Sequence, residues 1–234
     1  MAPKYAEQIR SCVNTWISDC AKYGADVQVR VFVGEVPSGV DQADLFVPLH
    51  CGDDYMSATP KHWSGLKYMY DHFDGDFYYT CGTDTFLNIA NALKLLDDFD
   101  PAEALYIGGH GDTRTWQGKR FHFHSGGPGY FYSRAAMAQL LEIPRILALF
   151  AQQKEEHPII YCDVQAGWMA QAKGMRIVDV PRKFFNCNHR GVSYGGSRCC
   201  GRKVDPQSLV ACHQMSAADF STYHTWIIKS RTEG

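Results

Sequence analysis

The spacing of apolar residues divides the chain into alternating strands and helices. Ile9, Val13, Trp16 and Ile17 recur at helical intervals and predict an amphipathic helix over residues 5–22. Four valines alternate with other residues from Val27 to Val33, the two-residue period of a strand, and Gly34 closes the run. Asp44 to Leu49 is a short apolar run that predicts a second strand. Thr59-Pro60 opens a helix through Trp63, Leu66, Met69 and Tyr70, with proline in the first turn, where its missing N–H costs no hydrogen bond. Phe77-Tyr78-Tyr79 predicts a third strand and Asp84 to Leu96 a helix just beyond it. Leu105-Tyr106-Ile107 predicts a fourth strand, stopped by Gly108-Gly109.

Beyond residue 110 the periodicity loosens. Ser125 to Tyr132 is glycine-rich, Ser133 to Phe150 reads as a helix broken near Pro144, and Asp163 to Lys173 as a further helix. Arg176 to Val180 follows as a strand, and Phe184 to Arg202 reads as irregular. Strands alternating with helices predict an α/β fold with a mostly parallel central sheet flanked by helices. No repeat, low-complexity tract or linker interrupts residues 1–234, which read as one domain.

Composition narrows the function classes. With 45% hydrophobic and 13% aromatic residues, 234 residues can fill a sizeable core. Lys and Arg number 23 against 25 Asp and Glu, a balance without the basic excess of a nucleic-acid-binding protein. The longest apolar runs, such as Ile146 to Ala151, are too short to span a bilayer, and no signal peptide opens the chain as written. Read that way, the protein is soluble and cytoplasmic. Nine cysteines is an odd number, so at least one thiol has no partner within the chain, and mostly reduced thiols are expected.

The candidate chemistry begins at Phe77 to Asn88, where an apolar strand runs into the polar turn Gly82-Thr83-Asp84. In open α/β sheets ligands bind where strands end. An aspartate there either coordinates a hard cation that grips a diphosphate or caps the following helix. Asp163 offers the same pair of readings: a carboxylate at the start of a helix is a general base or an N-cap. His213 ends the apolar run Ser208 to Cys212, and imidazole is a fair ligand for manganese-type ions. Gly126, Gly127 and Gly129 permit close backbone approach to a ligand or a tight turn. Cys187, His189, Cys199, Cys200, Cys212 and His213 supply soft ligands for a structural zinc, yet lack paired Cys-x-x-Cys knuckles.

Five segments, in order over about residues 5–226, resemble the β1,3-glycosyltransferase superfamily that contains Fringe, core 1 galactosyltransferase and the β3-galactosyl- and N-acetylglucosaminyltransferases. Arg10 to Trp16 resembles that family's early helix ending in Thr-Trp, and Asp53 to Lys61 its Asp-x-Tyr-x-Asn-Leu-Thr-x-Lys stretch. Gly82-Thr83-Asp84-Thr85-Phe86-Leu87-Asn88 resembles the three acids of its metal site and the residues after them, with only the last acid kept. Ser125 to Tyr130 with Ser133-Arg134 resembles its Gly-Gly-x-Gly-Tyr loop and the serine that follows. Cys162-Asp163-Val164-Gln165-Ala166-Gly167 resembles its Glu-Asp-Val-x-x-Gly segment, with Cys162 in place of the first acid.

The resemblance implies a GT-A-type fold and inverting transfer of a hexose, galactose first, from a UDP-sugar donor to a glycan acceptor. It implies Asp84 and His213 as ligands of Mn²⁺ (or Mg²⁺) and Asp163 as the base. Asp53, Lys61 and Thr83 are expected near the donor, and Gly126, Gly127, Gly129 and His124 near the acceptor. Residues 1–110 then form a nucleotide-sugar-binding half and residues 111–234 an acceptor-binding half. The family's usual members are Golgi enzymes, so a trimmed lumenal domain would belong in the Golgi lumen. The lost acids at Gly82, Thr83 and Cys162 leave an inactive nucleotide- or sugar-binding module as the alternative.

Overall fold

The computed structural model describes residues 3–36, 43–109, 111–141, 161–194, 205 and 207–232. The central sheet has the strand order β3-β8-β5-β9, built from Phe77–Thr80, Tyr130–Ser133, Leu105–Gly108 and Arg176–Asp179. β5 and β9 run parallel, whereas β8 lies antiparallel to both β3 and β5. Two further ladders are antiparallel: the hairpin of β6 (Gly111–Trp116) with β7 (Lys119–His124), and β4 (Phe86–Leu87) with β11 (Ala211–Cys212). β1 (Val31–Val33) with β2 (Phe46–Pro48), and β10 (Phe184–Phe185) with β11, are parallel.

The fold is therefore α/β, but its sheets are mixed rather than mostly parallel. The reason lies in residues 111–133, where the sequence carries no clear period and only Ser125 to Tyr132 is read, as glycine-rich. They form a hairpin and then β8, which enters the sheet from a glycine turn without the crossover helix that a parallel neighbour requires. All four residues of β8 are buried, as expected of a strand covered on both faces.

The helices are α1 (Pro3–Cys12), α2 (Ala58–His72), α3 (Ile89–Leu96), α4 (Arg134–Leu141), α5 (Cys162–Ala172) and α6 (Ala217–Thr232). The first one stops short of the expected residue 22. A π turn follows at Val13–Ile17, where Thr15 leaves helical geometry (φ −129°, ψ −108°) and its hydroxyl donates to the Ser11 carbonyl at 2.6 Å. The helix expected to start at Asp84 starts five residues later, because Phe86-Leu87 pair with β11 and Asn88 supplies the cap, its Oδ1 accepting from Asn91 N at 3.3 Å. α4 is capped by Ser133, whose Oγ accepts from Ala136 N at 3.2 Å, and the Pro144 break lies outside the described residues. Among the described residues no helix is long and apolar enough to cross a membrane.

Strand alternation sends side chains to two cores on opposite faces of the sheet. Leu105, Ile107 and Phe131 join Trp16, Phe86, Leu87, Val210 and Phe184 on one face. Tyr106, Tyr130 and Tyr132 join Trp63, Leu66, Val164 and Met169 on the other. The first core is capped by α6, which begins with a reciprocal capping box: Ser216 Oγ accepts from Asp219 N at 3.2 Å, while Ser216 N donates to Asp219 Oδ2 at 3.2 Å. Arg190 adds a 2.6 Å bond to Asp219 Oδ1.

Candidate functional site

The turn after β3 and the end of β11 bring Asp84 and His213 together. Asp84 Oδ1 lies 3.0 Å from His213 Nε2, and the Asp84 carbonyl accepts from Met215 N at 3.0 Å, which fixes one turn to the other. Asp84 Oδ2 accepts from the Tyr194 hydroxyl at 2.8 Å. Burial favours the neutral acid at Asp84, but the hydrogen bond and charge of His213 and the Tyr194 hydroxyl outweigh it and hold the carboxyl below its usual range. The helix-cap reading of Asp84 does not apply, since Asn88 holds that place.

His213 Nδ1 faces Asn186 Oδ1 at 2.7 Å. An amide oxygen only accepts, so Nδ1 carries the proton, and a neutral ring then turns the Nε2 lone pair toward the carboxylate oxygen of Asp84. Two acceptors at 3.0 Å repel unless Nε2 is also protonated or a cation lies between them. Metal-ligating histidines characteristically donate their second N–H in this way. The pair therefore suits either an imidazolium–carboxylate ion pair or two ligands of a divalent cation.

Asp163 sits in the first turn of α5 rather than at its cap, which is Tyr161. Its Oδ1 accepts from Val164 N at 2.8 Å and its Oδ2 from Gly126 N at 3.0 Å. The next residue, Gly127, packs against His213 and Asn186; a Cβ there would lie 2.6 Å from Asn186 Oδ1 and from His213 Cε1. Thr85 Oγ1 pins the same glycine by donating to its carbonyl at 2.6 Å. Consecutive glycines thus touch the candidate base and the candidate metal ligand, with no room for a side chain at the second.

Asp84, His213, Asp163, Gly126 and Gly127 line one open cleft of about 1500 Å³, together with Asp53, Lys61 and Thr83. Lys61 forms an ion pair with Asp53, which also accepts from Gly34 N at 2.9 Å and Glu35 N at 3.3 Å. Lys61 is thus held at the end of β1. Thr83 Oγ1 donates to Gln8 Oε1 at 2.7 Å. At the rim the exposed rings of Tyr55 and Tyr161 lie 5.9 Å apart between centroids.

Two expected acceptor residues lie elsewhere. Gly129 is not among the residues lining the cleft; with φ +78° it turns the chain into β8 against the Thr80 carbonyl and the Tyr79 ring. His124 is fully buried behind β5, and burial pushes its ring down to about 4. With His122 and Asp179 it forms a separate group that could hold a metal ion. Cys162, in place of an acid beside Asp163, is no substitute: burial, then the charge of Asp163, pushes its thiol up to about 12. The rival cysteine–histidine zinc set is not among the candidate metal groups of the described residues. Cys187 and Cys212 are buried in the core, with Cys212 Sγ 3.6 Å from Met215 Sδ, His189 stacks on Tyr223 at 4.8 Å, and residues 199 and 200 lie outside the described residues.

Tyr194, Asn186 and Gln8 are site residues that sequence reasoning missed. Tyr194 and Asn186 come from a stretch with no periodic signal and Gln8 from the polar side of the first helix, and only the fold brings each to Asp84, His213 or Thr83. No protein-family model matches this chain.

Proposed function

We propose that the chain is an inverting, metal-dependent glycosyltransferase of the GT-A type, which moves a hexose, galactose first, from a UDP-sugar to an acceptor sugar hydroxyl. One observation carries the reading. The Asp84–His213 pair, suited to a cation, and the Asp163 carboxylate flank two consecutive glycines in a single cleft. An inverting transfer needs this division of labour, with leaving-group stabilisation on one side and a base for the acceptor on the other.

Asp84 and His213 would hold Mn²⁺ (or Mg²⁺), which supplies neutralisation of the departing diphosphate. Asn186 orients His213, and Tyr194 orients the second oxygen of Asp84. The main-chain amides of Gly126 and Val164 aim Asp163, which would take the proton of the acceptor hydroxyl as its oxygen attacks the sugar carbon. The paired rings of Tyr55 and Tyr161 give the acceptor an apolar rim to lie against.

The decisive experiment is a panel of UDP-sugars with Mn²⁺ or EDTA, read as sugar transfer, donor hydrolysis and thermal stabilisation. Ligand at about 100 times Kd stabilises by about 2.7 kcal/mol. That stabilisation should need the metal and should largely disappear in His213→Ala. Equal stabilisation with and without metal would sink the metal assignment. Metal-dependent UDP binding with no transfer to any acceptor would favour the inactive module, a reading supported by the missing acids at 82, 83 and 162.

A further inference from the structure

We propose that His122, His124 and Asp179 form a second metal site, outside the cleft, for a divalent first-row transition ion of the zinc type. His122 and His124 stand two residues apart on β7, and the period of a strand sends both rings to one face. That face meets the end of β9. His122 Nε2 lies 3.1 Å and His124 Nδ1 3.6 Å from the same oxygen, Asp179 Oδ1. One ligand atom from each residue lies within 4.8 Å of the others.

His124 supplies the second, independent observation. Its side chain is fully buried, yet neither ring nitrogen has a hydrogen-bond partner. An unsatisfied buried polar group is costly, and an apolar residue would fill the same space without that cost. The backbone nevertheless makes room for the imidazole. Gly108, the register partner of Asp179, lies under the ring, and a Cβ there would sit 2.5 Å from His124 Cγ. A cation on Nδ1 would complete one of the two orphaned nitrogens.

The donor set selects the ion. Two imidazoles with one carboxylate suit zinc and its first-row neighbours, whereas magnesium and calcium favour all-oxygen shells. Three protein ligands also leave a coordination position open, on the side where Asp179 and His122 reach solvent. Such an ion would tie the β6–β7 hairpin to β9 two residues before Gly126, whose amide aims Asp163. Its role would be to hold the glycine loop, and it does not depend on the sugar-transfer reading.

Zn²⁺ titration of the full chain, stripped of metal and kept reduced, tests the site, with Co²⁺ as an optical probe. The parent should bind Zn²⁺ with defined stoichiometry. His122→Gln and Asp179→Asn, both partly exposed positions, should keep the parent circular dichroism and weaken that site at least about a hundredfold, since even outer-shell changes cost 10–100-fold. His213→Ala should leave it intact. The Co²⁺ complex should show ligand-field bands without thiolate-to-cobalt charge transfer. No Zn²⁺ binding by the parent, unchanged affinity in both folded variants, or a thiolate band at the tightest site would each overturn the proposal.

Discussion

Gly127→Ala probes the candidate site with a single methyl group. The residue has no left-handed φ, so alanine can adopt its backbone, and reduced freedom of the unfolded chain alone would stabilise by about 0.4–1 kcal/mol. The native state opposes this. The new Cβ would lie 2.6 Å from both Asn186 Oδ1 and His213 Cε1, so these atoms must retreat by about 0.8 Å to reach ordinary contact at 3.4 Å. Neither is free to do so without loss. If either partner moved alone, the 2.7 Å bond from His213 to Asn186 would stretch to the limit of hydrogen bonding, and a shift of His213 would disturb its 3.0 Å approach to Asp84. Overpacking of this kind costs about 1–3 kcal/mol, which outweighs the entropic gain. Displacing an orienting partner of a metal ligand typically costs 10–100-fold in metal affinity. Urea denaturation should therefore show Gly127→Ala less stable than the parent, and Mn²⁺ with UDP should stabilise it less. A variant as stable as the parent, with full metal-dependent stabilisation, would refute the claim that Gly127 is there to make room for His213.

Three further outcomes are expected. Asp163→Asn keeps its size and should fold and bind UDP with metal like the parent, yet transfer sugar at least about a hundredfold more slowly in a steady-state assay; parent-rate transfer would remove Asp163 as the base. Asp219→Ala breaks the α6 capping box and the Arg190 pair and should cost about 1–3 kcal/mol in urea denaturation at neutral pH. Burial raises the Asp219 carboxyl, but Ser216 and Arg190 outweigh it and hold it below its usual range. Its contribution is thus present above the unfolded carboxylate pKa and lost as pH falls through the lower folded one, so parent and variant should converge in strong acid. Cys12, Cys20, Cys51, Cys81, Cys162 and Cys212 carry free thiols, so titration of the denatured, unreduced protein should find at least six reactive groups; fewer would indicate disulfides.

The strands at Phe77 and Leu105 were legible because each is a bounded apolar run, and the helix at Thr59-Pro60 because its period and its proline agree. Asp84 misled as a helix start because Thr85-Phe86-Leu87 is short and apolar, a pattern shared by a buried strand and a helical turn. The β6–β7 hairpin was missed because its first strand is mostly exposed and polar. Gln117-Gly118, both at positive φ (49° and 74°), form the two-residue turn whose Xaa-Gly signature was the available clue. The start of α6 was likewise signalled by Ser216 and Asp219 at capping-box spacing. At the site, Asp84, His213 and Asp163 could be named in advance because they ride on motif-like segments. Tyr194 and Asn186 could not, since their partners lie 110 and 27 residues away.

The two cores on either face of the sheet have a consequence for how such a site can change. Asp84 and His213 flank β4 and β11, whose residues pack in one core, whereas Asp163 opens α5, whose residues pack in the other. In the proposed transferase, the grip on the leaving group and the position of the base would thus be founded on separate hydrophobic layers, joined at the surface by the strip from Gly126 to Gly127. On that proposal, repacking beneath α5 would shift Asp163, and with it the choice of acceptor hydroxyl, while leaving the opposite layer untouched. Acceptor preference in such an enzyme would drift through substitutions that never touch a substrate, with the donor side preserved.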